Sequence, residues 1–169
     1  QSLLQIADEI IIVDSCSTDK TKEICKTYSV KFIEQPFLGY KQQKNFAVAQ
    51  AKYDYVLSLD GDEALSNELI RSILEVKKDF NYDGYYVNRF NNYCGQWIKY
   101  SNWYPDRKLR LFKKRKGYWG GINPHDNFKM FFETKTARLK GDLLHWNYAT
   151  YEEFDLKTDH FSSISAKSY

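Results

Sequence analysis

The chain has 169 residues, 43% of them hydrophobic and 17% aromatic, enough to fill the core of one globular domain. No apolar run approaches the ~20 residues that cross a bilayer, and no basic region followed by a hydrophobic stretch opens the chain, so neither a membrane span nor secretion is expected. The three cysteines, Cys16, Cys25 and Cys94, are odd in number and lack metal-type spacing, which suits reduced thiols in a cytosolic protein, and the net charge of +3 is small.

"QSLLQIADE" leads into "IIIVDSCSTDKT", residues 10–21, where four β-formers run together and end on Asp14. An apolar run without polar alternation suits a strand covered on both faces, the condition of a central strand in an α/β sheet. Ligands bind outside the carboxyl ends of such strands, so Asp14 is placed to touch a substrate; equally, Asp14 and Asp19 suit the capping of the next helix. Helical spacing follows from about Thr21 to Tyr28, and "VKFIEQP" reads as a strand stopped by Pro36, completing a βαβ unit. "GYKQQKNFAVAQAKYD" predicts a helix after Gly39, and "YVLSLDGDE" a second strand ending on acids. Leu65, Leu69, Ile70, Ile73 and Leu74 recur at helical spacing behind Ser66 as N-cap, and Gly84 to Phe90 returns to strand. Beyond it the chain turns aromatic and turn-rich, with "KLRLF" as a strand and "TYEEFDLKTDHFSSISAKSY" as a closing amphipathic helix. The expected organisation is one α/β domain, with residues 1–83 building a nucleotide-type half and 84–169 an acceptor-facing half.

Basic residues concentrate in "DRKLRLFKKRKGYW", with seven between Arg107 and Lys116. With Trp97, Tyr100, Trp103, Tyr104, Tyr118 and Trp119 around them, they suit an anionic membrane surface or a sugar-stacking surface, or else rings in the core beside a solvated face.

"LSLDGDE" repeats the arrangement of the opening strand by delivering Asp60, Asp62 and Glu63 to a strand end. If the two strands are parallel neighbours, Asp14, Asp60 and Asp62 share a rim whose negative charge needs a cation or a hydrogen-bonding ligand. Asp-Gly-Asp can hold a hard divalent ion and leave positions open for phosphate oxygens.

"IIVDSCSTDKT", then "QKN", then "LSLDGDE" together resemble the family 2 glycosyltransferases with the GT-A fold. "WYPDRKLRLFKK" and "LLHW" resemble the branch that glycosylates lipopolysaccharide core, and the resemblance covers nearly the whole chain. It implies a Rossmann-like, mainly parallel sheet flanked by helices, whose first strand precedes Gln1, so the chain is expected to be part of a longer protein. It further implies inverting transfer from a nucleotide-diphosphate sugar to a saccharide or lipid-linked saccharide, at the cytoplasmic face of a membrane, with Mg2+ or Mn2+ as cofactor.

By the same resemblance, Asp14, with Ser15 beside it, meets the donor nucleotide, Lys44 lies near its phosphates, and Asp60 touches ribose or metal. Asp62 is the principal metal ligand, and His145 matches a histidine that some GT-A enzymes present to the metal or diphosphate. Glu63 either orients its neighbours or stabilises a helix dipole. Asp126, beside His125 in "NPHDN" where the branch usually has Val-His-Glu, is the first candidate for the base, and Asp106 in "WYPDR" the second. Two other readings compete. A nucleotidyltransferase also needs carboxylates and a metal, but its glycine-rich phosphate loop is missing; a basic aromatic nucleic-acid module fits residues 107–119 but not the acid-tipped strands. Nucleic acid is therefore not an expected partner.

Overall fold

The computed structural model describes residues 1–122 and 126–167, so His125 lies outside the described residues. The architecture is the expected α/β one. The chain runs β1 (Ile11–Asp14), α1 (Thr21–Lys26), β2 (Lys31–Glu34), α2 (Tyr40–Gln50), β3 (Tyr55–Leu57), β4 (Glu63–Leu65) and α3 (Asn67–Lys78). There follow β5 (Gly84–Tyr93), β6 (Gln96–Trp97), β7 (Asp106–Lys113), β8 (Gly117–Gly120), β9 (Asn127–Met130), β10 (Thr136–Tyr148) and α4 (Tyr151–Lys167).

β1 and β2 pair in parallel, as a βαβ unit requires. The larger sheet has the order β3-β7-β5-β10-β4, with β6 added to β5. It is mixed: β5 and β10 are parallel, whereas β3 with β7, β7 with β5 and β4 with β10 are antiparallel. Strands β3 and β4 of the first half thus form the two edges of a sheet whose centre comes from the second half. A cavity of about 380 Å3, lined by Ile10, Ile11, Val48, Val56 and Leu57 among others, lies beside β1 and β3.

Helix α3 covers one face of this sheet. Its Leu69, Ile70 and Ile73 pack with Leu65, Tyr85, Val87, Leu111, Leu139 and Leu143 into the main core. Ser66 caps the helix, its Oγ accepting from Leu69 N at 3.2 Å, and also accepts from Asp142 N at 3.0 Å, so one hydroxyl ties α3 to β10. On the other face, the β8–β9 hairpin and α2 bury Leu109, Phe112, Trp119 and Phe128 with Val48 against them. Asn45 of α2 makes both bonds to the Trp119 backbone, Nδ2 to O at 2.8 Å and Oδ1 from N at 2.9 Å. That pairing fixes the face of α2 turned toward β8 and hence the direction of the neighbouring Lys44.

Candidate active site

The chain passes from β3, at one edge of the sheet, to β4, at the other, through residues 58–62. This short segment has to cross the ends of β7, β5 and β10. Ser58 N donates to Arg110 O at 2.8 Å as it leaves β3, and Trp146 N donates to Asp62 O at 3.0 Å where it meets β10. Asp60 and Asp62 are laid across the rim in between. A cleft of about 930 Å3 opens there, with Lys44, Asp60, Asp62, Arg110, Asp126 and His145 among its lining residues.

Arg110 forms the floor of the cleft. Its Nη2 donates to Glu63 Oε1 at 2.6 Å and to Asp60 Oδ2 at 2.9 Å, and Glu63 Oε2 accepts from Asp60 N at 2.9 Å. Glu63 therefore orients both neighbours, one of the two roles expected of it. Burial opposes ionisation of Asp60, but the charges of Arg110 and Lys44 outweigh it and hold its carboxyl below the usual carboxylate range. For Glu63 burial wins and raises the pKa, although Arg110 pulls it down. Lys44 Nζ bridges Asp60 Oδ1 and Asp126 Oδ2, each at 3.1 Å, and stands 4.5 Å from the centre of the Trp119 ring. It is a residue of the cleft and not a lysine of a solvated helix face.

On the far side, His145 Nε2 lies 3.5 Å from Asp62 Oδ2, and His145 Nδ1 lies 2.7 Å from Asn91 Oδ1. Among the described residues no group of three or more His, Cys, Asp and Glu side chains is arranged to hold a metal ion. Asp62 and His145 form a mixed carboxylate and imidazole donor pair, and both line the cleft, so oxygens of a ligand can complete a coordination shell around Mn2+ or Mg2+ there. Asp60 faces two cations instead.

The remaining candidates lie outside the cleft lining. Asp14 accepts from Ser17 N at 2.7 Å and Ser17 Oγ at 2.6 Å, so its carboxylate shapes the turn after β1. Ser15 Oγ accepts from Gln43 Nε2 at 3.1 Å, one residue from Lys44. Asp106 is held by Arg89 at 2.8 Å and Lys108 at 2.9 Å. The basic cluster is not one surface: Arg107 and Lys108 line the cleft, Arg110 is buried, and Lys114 donates to Ala51 O at 2.6 Å. Trp119 is in the core. The residues missed by sequence reasoning are Arg110, Asn91 and Arg89; the only available signal was a charged residue between two leucines in "KLRLF".

The family model for glycosyl transferase family 2 matches residues 1–138. The chain belongs to glycosyl transferase family 2. This member of the family is 35% identical to an uncharacterized glycosyltransferase of Rickettsia typhi, over 98% of its own length and 60% of the relative's. It is 30% identical to the lipopolysaccharide core biosynthesis glycosyltransferase LpsC of Rhizobium meliloti, over 96% of its length and 63% of that protein. The chain thus spans about three fifths of these relatives. Among solved structures it resembles Staphylococcus aureus TarS 1-349, with a TM-score of 0.59 at 16% identity over 92% of this chain and 55% of that one. TarS 1-349 has also been solved with UDP-GlcNAc, at a TM-score of 0.58 and 15% identity over 86% of this chain and 51% of that one. The fold of this family 2 chain is therefore GT-A.

Proposed function

We propose that this chain carries the catalytic cleft of an inverting glycosyltransferase that moves a sugar from a nucleotide-diphosphate donor to a saccharide acceptor of lipopolysaccharide core or a related glycan. The observation that carries the reading is the convergence of Asp126, Lys44, Asp60, Asp62 and His145 on one cleft in a chain of this family. The similarity to LpsC supports the acceptor class, and the TarS complex with UDP-GlcNAc supports a nucleotide-sugar donor.

Asp126 is the base. Its carboxylate takes the proton of the acceptor hydroxyl while that oxygen attacks the anomeric carbon, and the bond from that carbon to the diphosphate breaks. In the structure Lys44 holds Asp126 Oδ2 at 3.1 Å; an incoming diphosphate competes for the ammonium and frees the carboxylate to face the acceptor. Asp62 and His145 would hold a divalent cation, Mg2+ or Mn2+, which would offset the charge of the departing diphosphate. Asp106, tied to Arg89 and Lys108, supports the cleft wall.

Replacing Asp126 by Asn is expected to lower turnover roughly a hundredfold or more with donor affinity nearly unchanged, since a general base acts in the transition state. Single-turnover transfer from a panel of nucleotide sugars, with equilibrium binding alongside, measures both. An equal loss from Asp106→Asn with a near-normal Asp126→Asn would reassign the base.

The same reading places the enzyme at the cytoplasmic face of a membrane. Supporting it, Tyr118, Phe131 and Phe132 are 49%, 51% and 93% exposed on and after the β8–β9 hairpin, beside Arg115, Lys116 and Lys129. No helix among the described residues is long and apolar enough to cross a bilayer.

A further inference from the structure

His145 sits on β10 in register with Asn91 of parallel β5. The two side chains meet inside the protein, 7% and 5% exposed, and touch at 2.7 Å through Nδ1 and Oδ1. An imidazole has two nitrogens, and which one carries the proton in the neutral ring depends on the partner of the other. The orientation of the Asn91 amide therefore sets the chemistry of His145.

That orientation is fixed from behind. Asn91 Nδ2 lies 3.3 Å from the backbone oxygen of Trp103, which can only accept, so the amide nitrogen faces Trp103 and the amide oxygen faces the ring. Flipping the amide would set two oxygens against each other. An acceptor opposite Nδ1 requires Nδ1 to carry hydrogen, which leaves the Nε2 lone pair of the neutral ring directed into the cleft. It faces Asp62 Oδ2 at 3.5 Å, a much longer contact than the 2.7 Å at Nδ1, so the single proton of the neutral ring belongs on the Asn91 side and Nε2 is the nitrogen left to a cation. Two such electron-rich atoms side by side are complementary to a cation held by both.

We propose that Asn91 is a positioning residue that locks His145 in the Nδ1–H tautomer, so that Nε2 and Asp62 form a preset donor pair for a divalent cation. The inference rests on the proposed metal-assisted transfer and deepens it by naming the residue that prepares the site. Asn91 itself touches neither cation nor substrate. It transmits the position of one backbone carbonyl, in the turn before β7, to a metal-binding nitrogen on β10.

Long-range 1H–15N NMR of the 15N-labelled protein without metal reads the tautomer directly, with the His145 signals assigned by their loss in His145→Gln. The expected neutral ring has its proton on Nδ1; a proton on Nε2 in the wild type overturns the proposal whatever the variants do. Mn2+ titration in the presence of UDP, followed by electron paramagnetic resonance of free Mn2+, reads the consequence. Asn91→Leu, which removes the acceptor opposite Nδ1, should weaken Mn2+ about 10- to 100-fold, the usual effect of losing such an orienting partner. Unchanged Mn2+ affinity in a folded Asn91→Leu protein overturns the positioning role. If wild type binds no Mn2+ with UDP present, the metal-assisted reading falls, and the NMR result still decides the tautomer separately.

Discussion

Arg110 has to reconcile two carboxylates in a place with little water. The Glu63 side chain is fully buried, and among the described residues the other cation near its carboxylate is Arg89 Nη1 at 3.9 Å, with Asp60 N as a neutral hydrogen-bond donor. Truncating one member of a buried ion pair leaves the other charge uncompensated, so Arg110→Met should cost about 3–5 kcal/mol at neutral pH in urea unfolding. Lysine should rescue little, because one ammonium cannot reproduce the fork that reaches Glu63 and Asp60 together. The pH dependence follows from Asp60, whose folded-state pKa lies below its ordinary value against the opposition of burial. A depressed carboxylate contributes stability that is complete above its unfolded pKa of about 3.9 and is lost as pH falls through the folded-state value. The penalty for Arg110→Met should therefore hold from pH 7 to about 5 and shrink as the pH is lowered through about 4 toward 2. A penalty that stays constant below about pH 4 would mean that Asp60 is not stabilised by Arg110.

Strand β7 explains why Arg110 reaches the cleft at all. Strict alternation would put Leu109 and Leu111 on the same face, yet Leu111 belongs to the core under α3 and Leu109 to the core under the hairpin. The pairing with β5 jumps between Tyr85–Leu111 and Tyr86–Leu109, leaving Arg110 as an extra residue in the ladder. A bulge of this kind re-aims a side chain, here toward the segment that carries Asp60. A second irregularity marks β10, between Arg138 and Asp142, where Gly141 has φ of 84°. A Cβ at Gly141 would stand 2.3 Å from Leu69 N in the first turn of α3, so alanine there meets both backbone strain and a clash. Gly141→Ala should lower stability by more than about 1 kcal/mol and loosen the α3–β10 contact, with faster amide exchange at Leu69 and Asp142 as the readout. Exchange unchanged at both positions would show that the corner can move aside without cost.

In the whole molecule, the cleft and the exposed hairpin meet at β8, which supplies Trp119 to the cleft lining. Strand β8 contributes Trp119 to the core beneath Lys44, while its neighbour Tyr118 points outward and meets Phe131 with ring centres 6.0 Å apart. One short strand thus couples the cleft to the aromatic edge. For attachment to an anionic bilayer, the expected contributors are Phe131, Phe132, Arg115, Lys116 and Lys129, because Lys114 is engaged with Ala51 and Arg110 is buried. Each basic residue near such a surface contributes about 1 kcal/mol, and partial insertion of the two rings adds to it. Phe131→Ser with Phe132→Ser should reduce sedimentation with phosphatidylglycerol vesicles and slow transfer to a lipid-linked acceptor, while sparing transfer to a soluble acceptor fragment. Full sedimentation of the double variant would assign those rings to another role.

Much of this organisation could be read along the chain, because its signals are local. The run Ile10 to Val13 and the helical spacing behind Ser66 depend only on neighbouring residues, and β1 and α3 lie where those patterns placed them; the strand read through "LSLDGDE" instead stops at Leu57, and Glu63 to Leu65, with Leu65 expected on the helix, form β4. The resemblance in "IIVDSC", "QKN" and "LDGDE" likewise pointed to the family that the comparisons confirm. Other features were out of reach. Strand β4 has three residues, and β10 runs for 13 through a bulge that breaks its alternation, so neither offers a clean period. The partnership of Arg110 with Glu63 and Asp60 spans 47 and 50 residues, and that of His145 with Asn91 spans 54. Such pairs arise from the order β3-β7-β5-β10-β4, which carries the acidic segment across three strand ends. Local propensity names the residues that can ionise or coordinate; strand order and bulges, set by how two cores pack on one sheet, decide which of them meet.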